Sequence, residues 1–391
     1  MKSLITLLIF TIFSTGLLAD TEGIGMLGCY GQQLLKAPHI NRLATEGMQF
    51  ANYHGGFFCA PARWTLMTGM HDGCQGGWGQ NRSGLLIEMG KAHVPEEAYM
   101  TRFAEQVRKT ATPIPEHEVF LAQVAQQAGY RTAQFGKLDV GFLTNHERVK
   151  RFGWDFYEDY FSHSRCHGFY PPYLWRNGEK FELEGNLRAH CAKMTAKGNE
   201  PVGSDGKTCS QNVFIEGILS FIRTHKDEPF FLYHPTQLPY GPVAIPKLHP
   251  DFANHPTLSL VEKKYGSMVK MLNDHVGLIM KELTAQGIDE KTMVVFDGTG
   301  GRAGLKRSGY QGGIQCPLIV CLPGKIKPVS RSDILSSHYD FVVTIAEVVG
   351  TETPPGKDSI SYLPSLLKKL NQNRTTTSWS IIETRAWAVL S

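Results

Sequence analysis

The chain has 391 residues, is 42% hydrophobic and 19% charged, and carries 40 Lys and Arg against 36 Asp and Glu, a formal net charge of +4. This length and balance suit one large α/β domain with a small appendage and exclude a disordered chain. No Lys/Arg block or basic stripe with interleaved aromatics occurs, which argues against a nucleic-acid partner.

The N-terminus reads MKSLITLLIFTIFSTGLLAD, with Lys2 ahead of an apolar core and small residues ahead of Asp20. Residues 1–19 read as a secretory signal peptide, too short for a membrane span, or else as a retained first strand. Export implies a secreted, periplasmic or lysosome-like location with no membrane span in the mature chain. It would permit disulfides among the eight cysteines, and Cys166, Cys191 and Cys209 share one loop-rich region. Asn81-Arg82-Ser83 and Asn373-Arg374-Thr375 are glycosylation sequons.

Helix and strand patterns then alternate. Helical spacing predicts helices over 38–46, 116–128, 213–225, 258–287 and 338–349. Continuous apolar strands follow at 48–53, 130–135, PFFLYHP, 293–296 and CPLIVCLP. This order predicts a large, mostly parallel mixed sheet with helices on both faces, whose sites gather outside the carboxyl ends of the strands. Residues 100–116 and 165–206 read as loops over the sheet. HGFYPPYLW within the second could offer aromatic faces to a sugar or simply pack. Residues 351–391 read as the remnant of a truncated C-terminal subdomain.

Some motifs lead nowhere. Gly23 to Gly28 is literally G-x-G-x-x-G, but Cys29-Tyr30-Gly31 continues as turn chemistry where a dinucleotide fold needs a helix. Cys316 and Cys321 have the wrong spacing for a zinc knuckle and read as core cysteines of a strand. CAPARWTLMTG, from Cys59 to Gly69, is different. Its proline starts a helix, which would set Cys59 at a helix N-terminus where free N–H groups favour an anion, with Arg63 one turn on along the same face. A capped helix with a packed thiol explains these residues as well.

Beyond these residues the stretch resembles the sulfatase signature C-x-P-x-R, in which the cysteine is oxidised to formylglycine. Collinear segments share the resemblance: ADTEGIGMLGCYG, APHINRLATEGMQFANYH, AQFGKLDVGF, FFLYHPTQLPYGPVAIPKLHP and GLKRSGYQGGIQCPLIVCLPGKIKP. It implies an alkaline-phosphatase-like α/β sandwich over residues 20–350 and hydrolysis of a sulfate ester, in a sulfated carbohydrate or aryl sulfate. It implies maturation by a formylglycine-generating enzyme. It further implies Cys59, Arg63, Lys137 and Lys306 as catalytic residues, Lys137, Lys306, Asp139 and Tyr240 against the substrate, and Ca2+ held by Asp20, Cys59 and Asp297. Arg63 would hold the formylglycine hydrate, and the two lysines the sulfate oxygens.

The pattern is incomplete. Asp20-Thr21 stands where the family has paired aspartates, and Asp297-Gly298 substitutes for a later Asp-Asn pair. Asp139 and Tyr240 stand where relatives place histidines. A catalytically impaired relative that binds sulfated glycans or inorganic anions is the alternative. A phosphoester hydrolase on the same fold fits less well, because Cys59 stands where those relatives present Thr or Ser.

Overall fold

The computed structural model describes residues 6–12, 27–56, 59–71, 98, 101–102, 105, 114–138, 145–161, 166, 168–186, 206–239, 247–300 and 308–367. Of residues 6–12 and 59–60 it describes the backbone only. Asp20, Asp139, Tyr240 and Lys306 lie outside the described residues, as do Cys191 and both sequons.

Among the described residues ten strands form one sheet in the order β10-β2-β9-β8-β1-β7-β3-β4-β5-β6. They are β1 (Thr6–Ile12), β2 (Met48–His54), β3 (Arg131–Phe135), β4 (Phe156–Asp159) and β5 (Tyr173–Arg176), then β6 (Glu179–Glu182), β7 (Phe230–Pro235), β8 (Thr292–Gly298), β9 (Leu318–Cys321) and β10 (Ser330–Ser337). The expectation of a mostly parallel sheet fails. The run β8-β1-β7-β3-β4 and the pair β10-β2 are parallel, but β2-β9, β8-β9, β4-β5 and β5-β6 are antiparallel.

Two local causes account for the difference. CPLIVCLP does make a strand, but β9 returns antiparallel to both its neighbours rather than crossing over behind a long helix. The stretch read as one loop over 165–206 contains the hairpin β5-β6, turned at Asn177 and Gly178, both with positive φ. Asn-Gly between strand-forming residues is the strongest local hairpin signal, and it was present in the sequence.

Among the described residues the longer helices that cover the sheet are α1 (Pro38–Glu46), α2 (Cys59–Thr68), α3 (Leu121–Gln127), α4 (Ser210–His225), α5 (Leu260–Ala285) and α6 (Asp340–Val349). The central strands bury both faces, which is why their runs are continuously apolar. In β7, Phe231 and Tyr233 join one core cluster with α2, α3 and α6, while Phe230 and Leu232 join the other with α1, α4 and α5. Met293 and Val295 against Val294 and Phe296 divide β8 the same way. The architecture is a helix–sheet–helix sandwich.

Helix ends follow local chemistry. Ser259 and Glu262 form a reciprocal capping box that starts α5, with Ser259 N donating to Glu262 Oε2 at 2.7 Å. Gly287 ends it in the left-handed region at φ 67°. The helix expected over 116–128 begins only at Leu121, because the carbonyls of Pro115, Glu116 and Glu118 accept from Arg151 Nη2 instead of continuing a helix. Residues 351–367 pack into the body, with Tyr362 against Phe50 and Phe341. The apolar run at the N-terminus forms β1, between β7 and β8.

Candidate functional site at the strand ends

The carboxyl ends of β3, β7 and β8 meet the start of α2. Cys59 opens that ten-residue helix, as its neighbours predicted. Arg63 lies one turn later and is wholly buried. Its Nη1 donates to Lys137 O at 2.7 Å and its Nη2 to Thr236 O at 3.0 Å. One guanidinium thus ties α2 to the segments that leave β3 and β7. Lys137, itself buried, donates its backbone N–H to Pro235 O at 2.8 Å, stitching those two segments together. The preceding Gly136 has φ 129°, and a Cβ there would meet Pro235 O at 2.6 Å.

Asp297 is the penultimate residue of β8, in register with Thr11 of β1, and is fully buried. Its Oδ1 lies 3.3 Å from His338 Nε2, and its Oδ2 has no hydrogen-bond partner among the described residues. His338 Nε2 also donates to Gly298 O at 2.7 Å and lies 4.0 Å from Cys316 Sγ. Asp297, Cys316 and His338 each offer one ligand atom, and these atoms all lie within 4.8 Å of one another. The protein therefore contains a candidate metal-binding cluster of one carboxylate, one thiol and one imidazole.

Burial sets the charge states. It raises the Asp297 carboxyl above the usual carboxylate range, with the charge of His338 and that of Arg63 opposing. Burial disfavours the His338 imidazolium, yet the charge and hydrogen bond of Asp297 outweigh it and raise the His338 pKa. The Cys316 thiol is pushed well up by burial and by Asp297. Backbone geometry allows this crowding: a Cβ on Gly55, in the turn before α2, would meet Thr299 O at 2.7 Å and His338 Cε1 at 2.9 Å.

Calcium, the ion implied by the resemblance, does not fit these described residues. It takes six to eight oxygen ligands, whereas Asp297 here has an imidazole nitrogen and a sulfur as its neighbours.

Of the expected site residues the structure therefore gathers Arg63, Lys137 and Asp297 beside the helix that Cys59 begins. Sequence reasoning missed His338 and His234. His338 lies 41 positions from Asp297, and nothing local marks it. Cys316 is buried as expected of a core cysteine, but its sulfur faces His338. His234, on β7, donates Nδ1–H to Phe135 O at 2.6 Å. Burial pulls its pKa down to about 4, so it is neutral at pH 7.

Two other expectations concern residues elsewhere. No disulfide joins Cys166 to Cys209. The aromatic loop HGFYPPYLW mostly packs: Phe169 and Tyr173 are buried, and Trp175 stacks on Phe161 at 4.8 Å. Among the described residues no helix is long and apolar enough to cross a membrane. A separate cleft of about 650 Å³, lined by Glu158, Arg176, Phe181 and Glu216 among others, shares no residue with the strand-end cluster.

The fold is an α/β sandwich in which the helix opened by Cys59 lies at the carboxyl ends of the central strands. The chain belongs to the sulfatase family, whose profile, described as Sulfatase, matches residues 17–351. It is 26% identical over 375 residues to the N-acetylgalactosamine-6-sulfatase of Canis lupus familiaris, covering 90% of this chain and 65% of that protein. It is 26% identical to the N-acetylgalactosamine-6-O-sulfatase of Bacteroides thetaiotaomicron, covering 90% of this chain and 75% of that protein. The crystal structure of Ps i-CgsB in complex with k-i-k-neocarrahexaose shares the fold, with a TM-score of 0.70, 18% identity and coverage of 94% of this chain and 77% of that one. The chain spans about two thirds (65%) of the length of the mammalian N-acetylgalactosamine-6-sulfatases it matches.

Proposed function

We propose that the protein is a sulfuric ester hydrolase that acts on a sulfated carbohydrate or aryl sulfate through a formylglycine made from Cys59 by a formylglycine-generating enzyme. The observation that carries this reading is the Arg63 clamp, which fixes the helix opened by Cys59 against the segments leaving β3 and β7. Relatives named for N-acetylgalactosamine 6-sulfate chemistry and relatives named as arylsulfatases support both substrate classes.

Hydrated formylglycine at position 59 would supply one hydroxyl to attack sulfur and a second whose deprotonation expels sulfate. The first-turn amides of α2 present N–H groups to the anion. Lys137 and Lys306 balance charge on the sulfate oxygens as the ester bond breaks. Asp139 and Tyr240, which follow β3 and β7 in the sequence, contact the substrate. Arg63 acts as a positioning residue, because both its terminal nitrogens already hold backbone carbonyls. An exported, calcium-loaded enzyme is what the resemblance implies.

The test joins mass spectrometry of the peptide containing Cys59 to sulfate release from a 6-sulfated N-acetylgalactosamine oligosaccharide and from an aryl sulfate. Formylglycine at position 59 and release lost in Cys59→Ala are expected. A folded protein that carries formylglycine and releases no sulfate would refute the hydrolase reading. The second reading, a protein that binds sulfated glycans or inorganic anions without turnover, is favoured by the nitrogen and sulfur donors beside Asp297. It requires that Lys306→Glu abolish sulfate binding.

A further inference from the structure

The cluster of Asp297, Cys316 and His338 is assembled from three chain segments: the end of β8, the approach to β9 and the residue after β10. β9 returns beside β8 with Asp297 in register with Leu318, which brings Cys316 alongside. His338 is held there by its backbone N–H, which donates to His54 O at 3.2 Å. All three residues are at most 1% exposed. Such groups are costly to bury unless something satisfies them, yet Asp297 Oδ2 has no partner among the described residues. The Tyr53 hydroxyl lies beside Asp297.

We propose that Asp297, Cys316 and His338 form a buried binding site for a borderline-soft divalent metal of the Zn2+ class, with a donor set that discriminates against Ca2+. Imidazole nitrogen, thiolate and carboxylate together are zinc ligands, and three protein ligands leave a fourth position for water or substrate. The spacing agrees. Zinc bonds of about 2.0 Å to nitrogen and oxygen at a tetrahedral angle separate the two donors by roughly 3.3 Å. The observed separation of His338 Nε2 from Asp297 Oδ1 is 3.3 Å. For sulfur and nitrogen the same construction gives roughly 3.6 Å, against 4.0 Å between Cys316 Sγ and His338 Nε2. A small inward rotation of the cysteine closes the gap.

The charges balance as well. In the metal-free protein a proton on Nε2 bonds to Gly298 O and faces Asp297, and Cys316 is a thiol. Binding breaks the Nε2–H and S–H bonds and releases both protons to solvent, while the imidazole keeps Nδ1–H. One thiolate and one carboxylate then neutralise the dication, so the site gains no net charge over an imidazolium–carboxylate pair. The proposed donor set shares only Asp297 with the calcium ligands of the resemblance and does not depend on oxidation of Cys59.

Co2+ is the probe, because a thiolate ligand gives it a charge-transfer band in the near ultraviolet and tetrahedral geometry gives it intense visible bands. The full chain, freed of metal by a chelator, is titrated with Co2+ and then with Zn2+ or Ca2+. One equivalent of Co2+ should give both bands, an equal amount of Zn2+ should bleach them, and a hundredfold excess of Ca2+ should leave them. Cys316→Ser should abolish the charge-transfer band, and His338→Gln should weaken Co2+ binding at least tenfold. Both variants are checked for native circular dichroism, and the wild-type titration stands alone should either fail to fold. Absence of the thiolate band in folded wild-type protein, or its displacement by Ca2+, would overturn the proposal.

Discussion

A chain that begins at Asp20 lacks β1, and β1 lies at the centre of the sheet with parallel neighbours on both sides. Five residues of β1 are in register with β7 and seven with β8. A parallel ladder supplies about one hydrogen bond per pair, each worth about 1 kcal/mol net, so about 10 kcal/mol of backbone pairing is lost. All residues of β7 and β8 are buried, so their freed N–H and C=O groups gain no easy access to water. The total stability of a folded domain is about 5–15 kcal/mol. Deletion of residues 1–19 should therefore leave no cooperative fold. The assay compares urea unfolding of the full chain and of residues 20–391 by near-ultraviolet circular dichroism. It also determines the N-terminal residue of folded protein from a secreting host. A folded product beginning at Asp20, with the urea midpoint of the full chain, would refute the reasoning, and β1 would then be dispensable despite its position.

Two further predictions concern buried charge. Arg63→Lys keeps the cation but loses the fork that reaches Lys137 O and Thr236 O. At about 1.5–3 kcal/mol for each hydrogen bond to a charged group, the variant should lose about 3 kcal/mol or more, and an unchanged urea midpoint would show that the clamp carries no load. Burial lowers His234 to about 4 and His275 to about 3 from the ordinary histidine value of 6.5. The unfolded chain binds those protons first, so their stability is present above about pH 6.5 and is lost as pH falls toward 4 and 3. Burial raises Glu158 to about 7 from 4.5, so its contribution runs the other way and is lost as pH rises through 7. Between pH 5 and 6, His275→Leu should flatten the acid loss by about 1.4 kcal/mol per pH unit and Glu158→Gln should steepen it by a similar amount. Parallel slopes for wild type and variants would contradict the assignment.

How much of this was legible in the sequence depends on the range of the interaction. Local periodicity located α1 to the residue and α4, α5 and α6 to within a turn, because an amphipathic stripe and its caps are written in neighbouring residues. The collinear motifs identified the family and placed Cys59 at the start of α2. Strand direction was not legible: β9 looks like any buried strand, and its antiparallel return depends on which neighbours it meets. Residues 6–12 carry the same apolar signal whether they serve as an export leader or as β1, and pairing with β7 and β8 is a tertiary property.

The site divides along the same line. Sequence by itself determined the kinds of chemistry available, a cysteine at a helix start and an arginine one turn on, since both lie within a single helical turn. Only the tertiary structure decided that Arg63 is spent on the carbonyls of Lys137 and Thr236, and that Asp297 faces a histidine and a thiol. Those partners come from strand ends far apart in the chain. Burial then fixes their protonation, because the cost of a charge depends on everything packed around it.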